Sequence, residues 1–290
     1  MTTFGAGGAA SFFARPGDRA QLAETLGLAN EMKIPVLVLG GGSNLLIADA
    51  GVEAMVIKLS GAGEFGEIQV EDAATGRWRV GAAAGLQNLV MTAARAGRTG
   101  MECMAGIPGL VGGAAAMNAG GADGGIGEYI KSADLFEFSG GQHLLVPPEL
   151  AFSYRNSTVR GRLAVAFDMV FPDADEPETL LARVREYRER KAATQPLGLR
   201  SAGCVFKNPA GASAGALLDA AGCKGMGEGN ARVSERHANF IVAVGPVCAR
   251  DIATLAVRMR ETVWENAGVR LEPEIALWGN EPLFAALCAE

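Results

Sequence analysis

Residues 105 to 121 read AGIPGLVGGAAAMNAGG, and the organisation of the chain turns on what such a stretch can do. With six glycines, no charge and one polar side chain, Asn118, its contacts fall to backbone N–H and C=O groups at close approach. Extended from Cys103 to Ala122, the uncharged run is long enough to resemble a membrane span. Spans are built from Leu, Ile, Val and Phe, however, and this one is Gly and Ala interrupted by Pro108 and Asn118. The sequence predicts a buried wall pressed against a flat or phosphorylated ligand.

Upstream, the apolar run PVLVL at 35–39 ends directly in Gly40, Gly41, Gly42, Ser43 and Asn44, followed by LLI. A strand ending this way can wrap its N–H groups around an anion such as a pyrophosphate. A tight turn without a ligand fits the same five residues. The pattern is neither G-x-G-x-x-G nor G-x-x-x-x-G-K-[ST], which disfavours a Rossmann nicotinamide site and a P-loop. Before this turn, Phe12 and Phe13 predict a short strand, and Asp18 predicts an N-cap for a helix carrying Leu22, Ala23, Leu26 and Ala29. After it, residues 54–59, 67–70 and 77–82 predict strands. Leu86, Leu89, Val90, Ala93 and Ala94 then share one face of a helix stopped by Gly97.

Downstream of the wall, 134–138 and 163–170 predict strands. Between them FSYRNS at 152–157 forms a turn-like segment in which Arg155, taken alone, reads as an ordinary exposed loop arginine. Residues 173–193 predict a helix acidic at its start and basic at its end, a polarity that matches the helix dipole. Further on come a small-residue helix near 216–221, a strand at the end of 234–242, and a long helix striped by Ile252, Leu255, Met259 and Val263 and stopped by Gly268. In 269–278, period-two alternation places Val269, Leu271, Ile275 and Leu277 on one face and Arg270, Glu272 and Glu274 on the other. Pro273 makes that strand an edge or an interrupted one.

A chain of 290 residues favours two or three packed units, and 49% hydrophobic content excludes a disordered protein. A net charge of -6 argues against nucleic acid as the partner, since phosphate backbones demand clustered Lys and Arg. The five cysteines, at 103, 204, 223, 248 and 288, are odd in number and lack a C-x-x-C pair. Neither a disulfide framework nor a metal site is therefore expected, a pattern that fits a reducing cytoplasm. MTTFGAGGAASFF has no basic n-region followed by a long apolar core, so no export signal is read.

Laid side by side, LGGGSNLL at 39–46, the wall at 105–121, SYRNS at 153–157, RKAATQP at 190–196, SAGCVFKNP at 201–209, VSERHANFIV at 233–242 and LEPEI at 271–275 resemble the UDP-N-acetylenolpyruvoylglucosamine reductases. The resemblance holds in order and spacing over nearly the whole chain, and the length matches the shorter form of that family, without its extra tyrosine-bearing loop. It implies an α+β fold, with a two-part FAD-binding module of the flavin-oxidase (PCMH-type) superfamily at 1–66 and 67–175 and a C-terminal α+β substrate-binding domain at 176–290. It also implies FAD as cofactor, NADPH as co-substrate, and reduction of UDP-N-acetylglucosamine enolpyruvate to UDP-N-acetylmuramate in the bacterial cytoplasm.

Carried over position by position, the resemblance implies that Gly40, Gly41, Gly42, Ser43, Asn44, Gly106, Ile107, Pro108, Gly109, Gly112, Gly113 and Asn118 hold FAD. Tyr154, Lys207 and Asn208 would contact substrate. Arg155 would bind the substrate carboxylate as a bidentate cation, Glu274 would polarise it, and Cys204 would deliver a proton. Strand geometry throws Glu272 to the same face as Glu274, so the family pattern alone selects Glu274. Most relatives carry serine where Cys204 stands. A thiol with a pKa of about 8.5 is mostly protonated at neutrality and is a better acid than an alcohol; an inert Cys204 with water as donor is the other reading. His237 reads equally as a core histidine or a ligand. The rivals to the reductase are a flavin oxidase of the same superfamily, which would not require Arg155, Cys204 and Glu274 together, and a catalytically silent flavin- or nucleotide-sugar-binding protein.

Overall fold

In a computed structural model, which describes residues 1–171 and 173–289, the chain divides into two compact units that alternate along the sequence. The first unit comprises Phe12–Gly40 and Ala54–Arg190, and the second comprises Met1–Ser11, Gly41–Glu53 and Lys191–Glu290. The domain boundaries expected from sequence, after 66 and after 175, are simple cuts, whereas these units change over after residues 11, 40, 53 and 190. The physical reason lies in the second unit, where Leu45–Ile47 finds its strand partner in Ala276–Trp278 and not in its sequence neighbours.

The first unit is built on an antiparallel sheet in the order Gln142–Leu145, Ile130–Phe136, Leu163–Val170, Arg77–Gly81, Ile68–Asp72. Leu163–Val170, central and buried over most of its length, reads in sequence as a continuous apolar run for that reason. Its one charge, Asp168, pairs across the strands with Arg79 at 2.6 Å and accepts from the Ser132 hydroxyl. Arg79 also reaches Asp134, which Arg19 pairs with at 3.0 Å. A separate three-stranded sheet runs in the order Ala10–Ala14, Val52–Ile57, Val36–Val38, the last two strands parallel. The Asp18 side chain accepts from the Gln21 N–H and starts the helix Arg19–Glu31, whose Leu22, Leu26 and Ala29 enter a core with Phe65, Trp78 and Phe167. Helix Leu86–Arg95 buries the five residues expected of it and turns off at Gly97, where φ is 71°.

The second unit packs an antiparallel sheet of Gly227–Glu228, Ala231–Val233 and Ile241–Ala243 with helices Ala214–Ala220, Ala249–Ala267 and Pro282–Cys288. The long helix buries Ile252, Leu255, Met259 and Val263 and ends at Gly268 in the left-handed region. Its N-terminal amides are satisfied by Asp49, whose carboxylate accepts from Ala249 at 2.7 Å and Arg250 at 3.0 Å. Arg260, buried on the same helix, donates to the Ala286 and Leu287 carbonyls at 2.6 and 2.7 Å and so ties down the last helix. The strand expected over 269–278 is shorter than its periodicity suggests. Ala276–Trp278 forms a ladder with Leu45–Ile47, whereas Pro273 makes an isolated bridge to Phe206. No helix among the described residues is long and apolar enough to cross a membrane.

Candidate functional site

The glycine-rich wall resolves into a turn, the six-residue helix Val111–Ala116 and the strand pair Gly120–Gly121 and Gly124–Gly125. The strand Arg77–Gly81 runs into a turn at Ala82–Ala84, and the wall bonds to that turn. Gly112 donates to the Ala82 carbonyl at 2.8 Å and Val111 to that of Ala84 at 2.9 Å. A Cβ on Gly112 would lie 3.1 Å from both the Cβ and the carbonyl oxygen of Ala82, a tight approach that would press on the Ala82 turn. The preceding turn is held by Gln87. Its Oε1 accepts from Gly106 at 2.9 Å, and its Nε2 donates to the carbonyls of Met104 and Ile107 at 3.0 and 2.8 Å.

These bonds narrow the expectation of a wall made of ligand-facing amides, since those of Gly106, Val111 and Gly112 already have protein acceptors. Gly113 differs. It is exposed, and a Cβ there would meet nothing within 4 Å. A Cβ on Gly40 would come 3.8 Å from the Gly113 Cα, so the two glycine-rich segments approach backbone to backbone beside an opening that any side chain at 113 would enter. Bare backbone and no charge from 105 to 121 is the surface that a flat ring system requires, and the residues present fit FAD.

SYRNS forms a two-residue hairpin in which Phe152–Ser153 pairs with Asn156–Ser157 and Tyr154-Arg155 make the turn. Arg155 has φ 54°, a conformation a non-glycine residue adopts at some cost, and it is held there by contacts to the wall. Its Nη1 donates to the Gly120 carbonyl at 3.1 Å, and its guanidinium carbon lies 5.4 Å from the exposed Tyr154 ring. The Ser157 hydroxyl donates to Ala116 at 3.2 Å. Asn118, expected at the cofactor, donates from Nδ2 to the Ser153 carbonyl at 3.0 Å and accepts at Oδ1 from Gly127 at 3.0 Å. Its amide therefore joins the wall to the hairpin that carries Arg155.

In the second unit, Glu274 donates its N–H to the Val205 carbonyl at 2.7 Å, Lys207 donates to that of Glu272 at 2.9 Å, and Phe206 pairs with Pro273. Segments 204–207 and 272–274 thus lie side by side, bringing Cys204 and Glu274 onto adjacent extended chains. The two glutamates, equivalent by strand period, differ here. Glu272 is exposed and ion-paired with Lys207 at 3.0 Å, whereas Glu274 is half-buried. Asn44, expected at the cofactor, donates from its side-chain amide to the Glu274 carbonyl at 3.1 Å, and its own carbonyl accepts from Ala276 at 3.0 Å. Gly42, with φ 67°, accepts at its carbonyl from the Thr3 N–H at 3.0 Å. The exposed Asn208 accepts from Ala214 at 3.0 Å at the start of a helix.

His237 is half-buried, its ring edge-on to Phe240 at 5.0 Å. Its Nδ1 accepts from the Asn239 N–H at 3.2 Å, which places the proton of the neutral ring on Nε2. Burial, with Lys224 acting in the same sense, lowers its pKa against the opposing pull of Asp219.

Of the residues singled out from sequence, Gly40, Gly106, Ile107, Pro108, Gly109, Gly112, Gly113, Asn118, Tyr154 and Arg155 lie in the first unit. Gly41, Gly42, Ser43, Asn44, Cys204, Lys207, Asn208 and Glu274 lie in the second. Two side chains that hold these segments, Gln87 and Asn239, were not singled out as site residues. The signal available for Asn239 was a polar residue entering the apolar run FIVAV.

Two family descriptions match the chain. Residues 10–144 match an FAD binding domain, and residues 195–278 match the UDP-N-acetylenolpyruvoylglucosamine reductase C-terminal domain. UDP-N-acetylenolpyruvoylglucosamine reductase 2 of Symbiobacterium thermophilum is 41% identical over 280 residues, covering 96% of this chain and 89% of the relative. The reductase of Moorella thermoacetica is 38% identical over 281 residues, covering 96% and 90%. The crystal structure of the Thermus caldophilus reductase superposes with a TM-score of 0.80 at 38% identity, covering 96% of each chain.

Proposed function

We infer that this chain, which belongs to the UDP-N-acetylenolpyruvoylglucosamine reductase family, is an FAD-containing, NADPH-dependent oxidoreductase that reduces UDP-N-acetylglucosamine enolpyruvate to UDP-N-acetylmuramate for peptidoglycan synthesis. The chemistry that FAD supplies when bound is to take a hydride from NADPH and hand it to the carbon β to the substrate carboxylate. The chain must then restrain the carboxylate, stabilise the negative charge that develops on it, and deliver one proton to the α carbon. Substrate, NADPH and one proton thereby balance against product and NADP+.

Gly40, Gly41, Gly42, Ser43 and Asn44 serve the pyrophosphate of FAD, and Gly106, Ile107, Pro108, Gly109, Gly112, Gly113 and Asn118 its ring system. The open position at Gly113 supports this reading; Gly112 and Asn118 contribute by shaping the wall. Arg155 binds the carboxylate, its guanidinium plane oriented by the Gly120 carbonyl and Tyr154. Glu274 polarises the carboxylate. Cys204 gives its thiol proton to the α carbon and is reprotonated from water. Tyr154, Lys207 and Asn208 contact the nucleotide sugar. The observation that supports the assignment is the 2.7 Å bond from the Glu274 N–H to the Val205 carbonyl, which brings Glu274 alongside the residue that follows Cys204. The use of NADPH and a nucleotide sugar, with an odd number of cysteines lacking a C-x-x-C pair and a net charge of -6, supports a cytoplasmic location and a small-molecule partner in place of nucleic acid.

The test is the visible spectrum of the purified holoenzyme without oxygen. NADPH bleaches the flavin, and UDP-N-acetylglucosamine enolpyruvate restores it. Recovery that requires oxygen marks an oxidase; flavin that NADPH never bleaches marks a silent binding protein.

A further inference from the structure

Asn239 is 2% exposed, a neutral polar side chain inside an apolar core that includes Phe206, Ala238 and Ile241. Its amide grips one residue of the opposite segment from both sides. Oδ1 accepts from the Phe206 N–H at 2.9 Å, and Nδ2 donates to the Phe206 carbonyl at 2.8 Å. The Asn239 backbone carbonyl also accepts from the Val205 N–H at 2.9 Å. Consecutive N–H groups, those of Val205 and Phe206, therefore both turn toward Asn239. A regular strand forbids this, because neighbouring N–H groups point to opposite edges. The chain is distorted immediately after Cys204, and distortions of this kind re-aim the side chain beside them.

We propose that Asn239 is a positioning residue for the proton-transfer half of the reaction: by holding the irregular backbone at Val205-Phe206 it sets the direction of the Cys204 side chain relative to Glu274. Asparagine suits the task because it presents a donor and an acceptor at once without charge. An aspartate keeps the shape but, ionised, has no donor for the Phe206 carbonyl. On the other edge of the segment, Glu274 bonds to Val205 and Lys207 to Glu272, so a change in the Val205-Phe206 backbone alters the facing of Cys204 and Glu274 together. Flavin binding and hydride transfer from NADPH call on none of these groups.

The inference rests on Cys204 as proton donor, and the experiment separates the two ideas. Asn239→Asp, Cys204→Ala and the double variant are prepared as holoenzymes, and each half-reaction is followed by stopped flow without oxygen. The expected result for Asn239→Asp is flavin content and NADPH bleaching within about twofold of wild type, with reoxidation by UDP-N-acetylglucosamine enolpyruvate slowed roughly 10²-fold, the scale that a misplaced reacting group produces. In the Cys204→Ala background the same substitution should add little, because the group it positions is gone. If Asn239→Asp slows both half-reactions alike, or if its effect multiplies that of Cys204→Ala, positioning through Cys204 is overturned. A Cys204→Ala enzyme that reoxidises at the wild-type rate removes the donor assignment instead, and with it the premise. Should Asn239→Asp yield too little folded protein, Asn239→Ser, which retains a small donor and acceptor, carries the same measurements with the same deciding outcomes.

Discussion

The two units hold their proposed catalytic groups by opposite means. Arg155 sits on a two-residue turn, half-exposed, at φ 54°, and donates to the Gly120 carbonyl, in a hairpin tied to the wall by single bonds from Asn118 to the Ser153 carbonyl and from Ser157 to the Ala116 carbonyl. Cys204 and Glu274 sit on paired extended chains backed by Phe206 and Ile275, gripped by the buried amide of Asn239 and the part-buried amide of Asn44. The difference teaches that one group can be disturbed without touching a core, whereas disturbing the others means disturbing the fold. In both units, though, an asparagine amide stands in for a missing strand partner.

The largest expected effect lies on the tethered side. Arg155→Ala should leave NADPH bleaching intact and reduce reoxidation by substrate about 10³-fold, as loss of a charge-stabilising donor does. Arg155→Lys should recover only part of this, because an ammonium cannot reproduce the fork. Stopped-flow reoxidation measures both, and full recovery by lysine would break the bidentate assignment. On the gripped side, Cys204→Ala should slow reoxidation about 10²-fold or more while bleaching persists. Peroxide should inactivate the wild type and spare Cys204→Ser; equal loss in both would count against a thiol donor.

The contrast between the two asparagines is tested by stability. Asn239→Ala leaves a buried N–H and a buried carbonyl on Phe206 without their side-chain partner and should cost about 2–4 kcal/mol. Asn118→Ala, in a part-exposed loop, should cost about 1 kcal/mol or less while still impairing turnover through the Arg155 hairpin. Urea midpoints of the two proteins decide; equal losses would erase the distinction drawn here. The smallest effect is expected at His237. Its pKa is depressed in the folded state, so the unfolded chain binds the extra proton first, and stability that is full above about pH 6.5 falls as pH drops through that value toward the folded pKa. His237→Gln should flatten that dependence when midpoints at pH 8 and pH 5 are compared.

Much of the scaffold was legible because its signals are local. The Asp18 cap, the Leu86–Arg95 face with its Gly97 stop, the Leu163–Val170 strand and the Gly268 terminus each follow from neighbours within a turn or two. The start of the helix expected from residue 173 was not, since Pro177 opens it instead, at the position where a missing N–H costs nothing. The family pattern marked Cys204, Glu274 and Arg155, but nothing in it revealed what fixes them. Asn44 reads as a cofactor ligand in a GGGSN turn, yet its amide reaches a carbonyl 230 residues away. Gln87 bonds 17 to 20 residues ahead, and Asn239 bonds back across 33. Pairing between a side chain and a distant backbone leaves no periodicity, so it becomes visible only once the fold brings the two together.

The parallel pairing of Leu45–Ile47 with Ala276–Trp278 also bears on how the protein is made. During synthesis the strand at 45–47 leaves the ribosome long before its partner at 276–278. The first unit, ending at Arg190, can condense while the chain is still growing, but the segment 41–53 must wait with its strand edge unpaired until residues 276–278 have emerged. Assembly of the unit that carries Cys204 and Glu274 therefore follows that of the first unit. Nascent chains stalled before residue 276 should accordingly leave Leu45–Ile47 open to proteolysis.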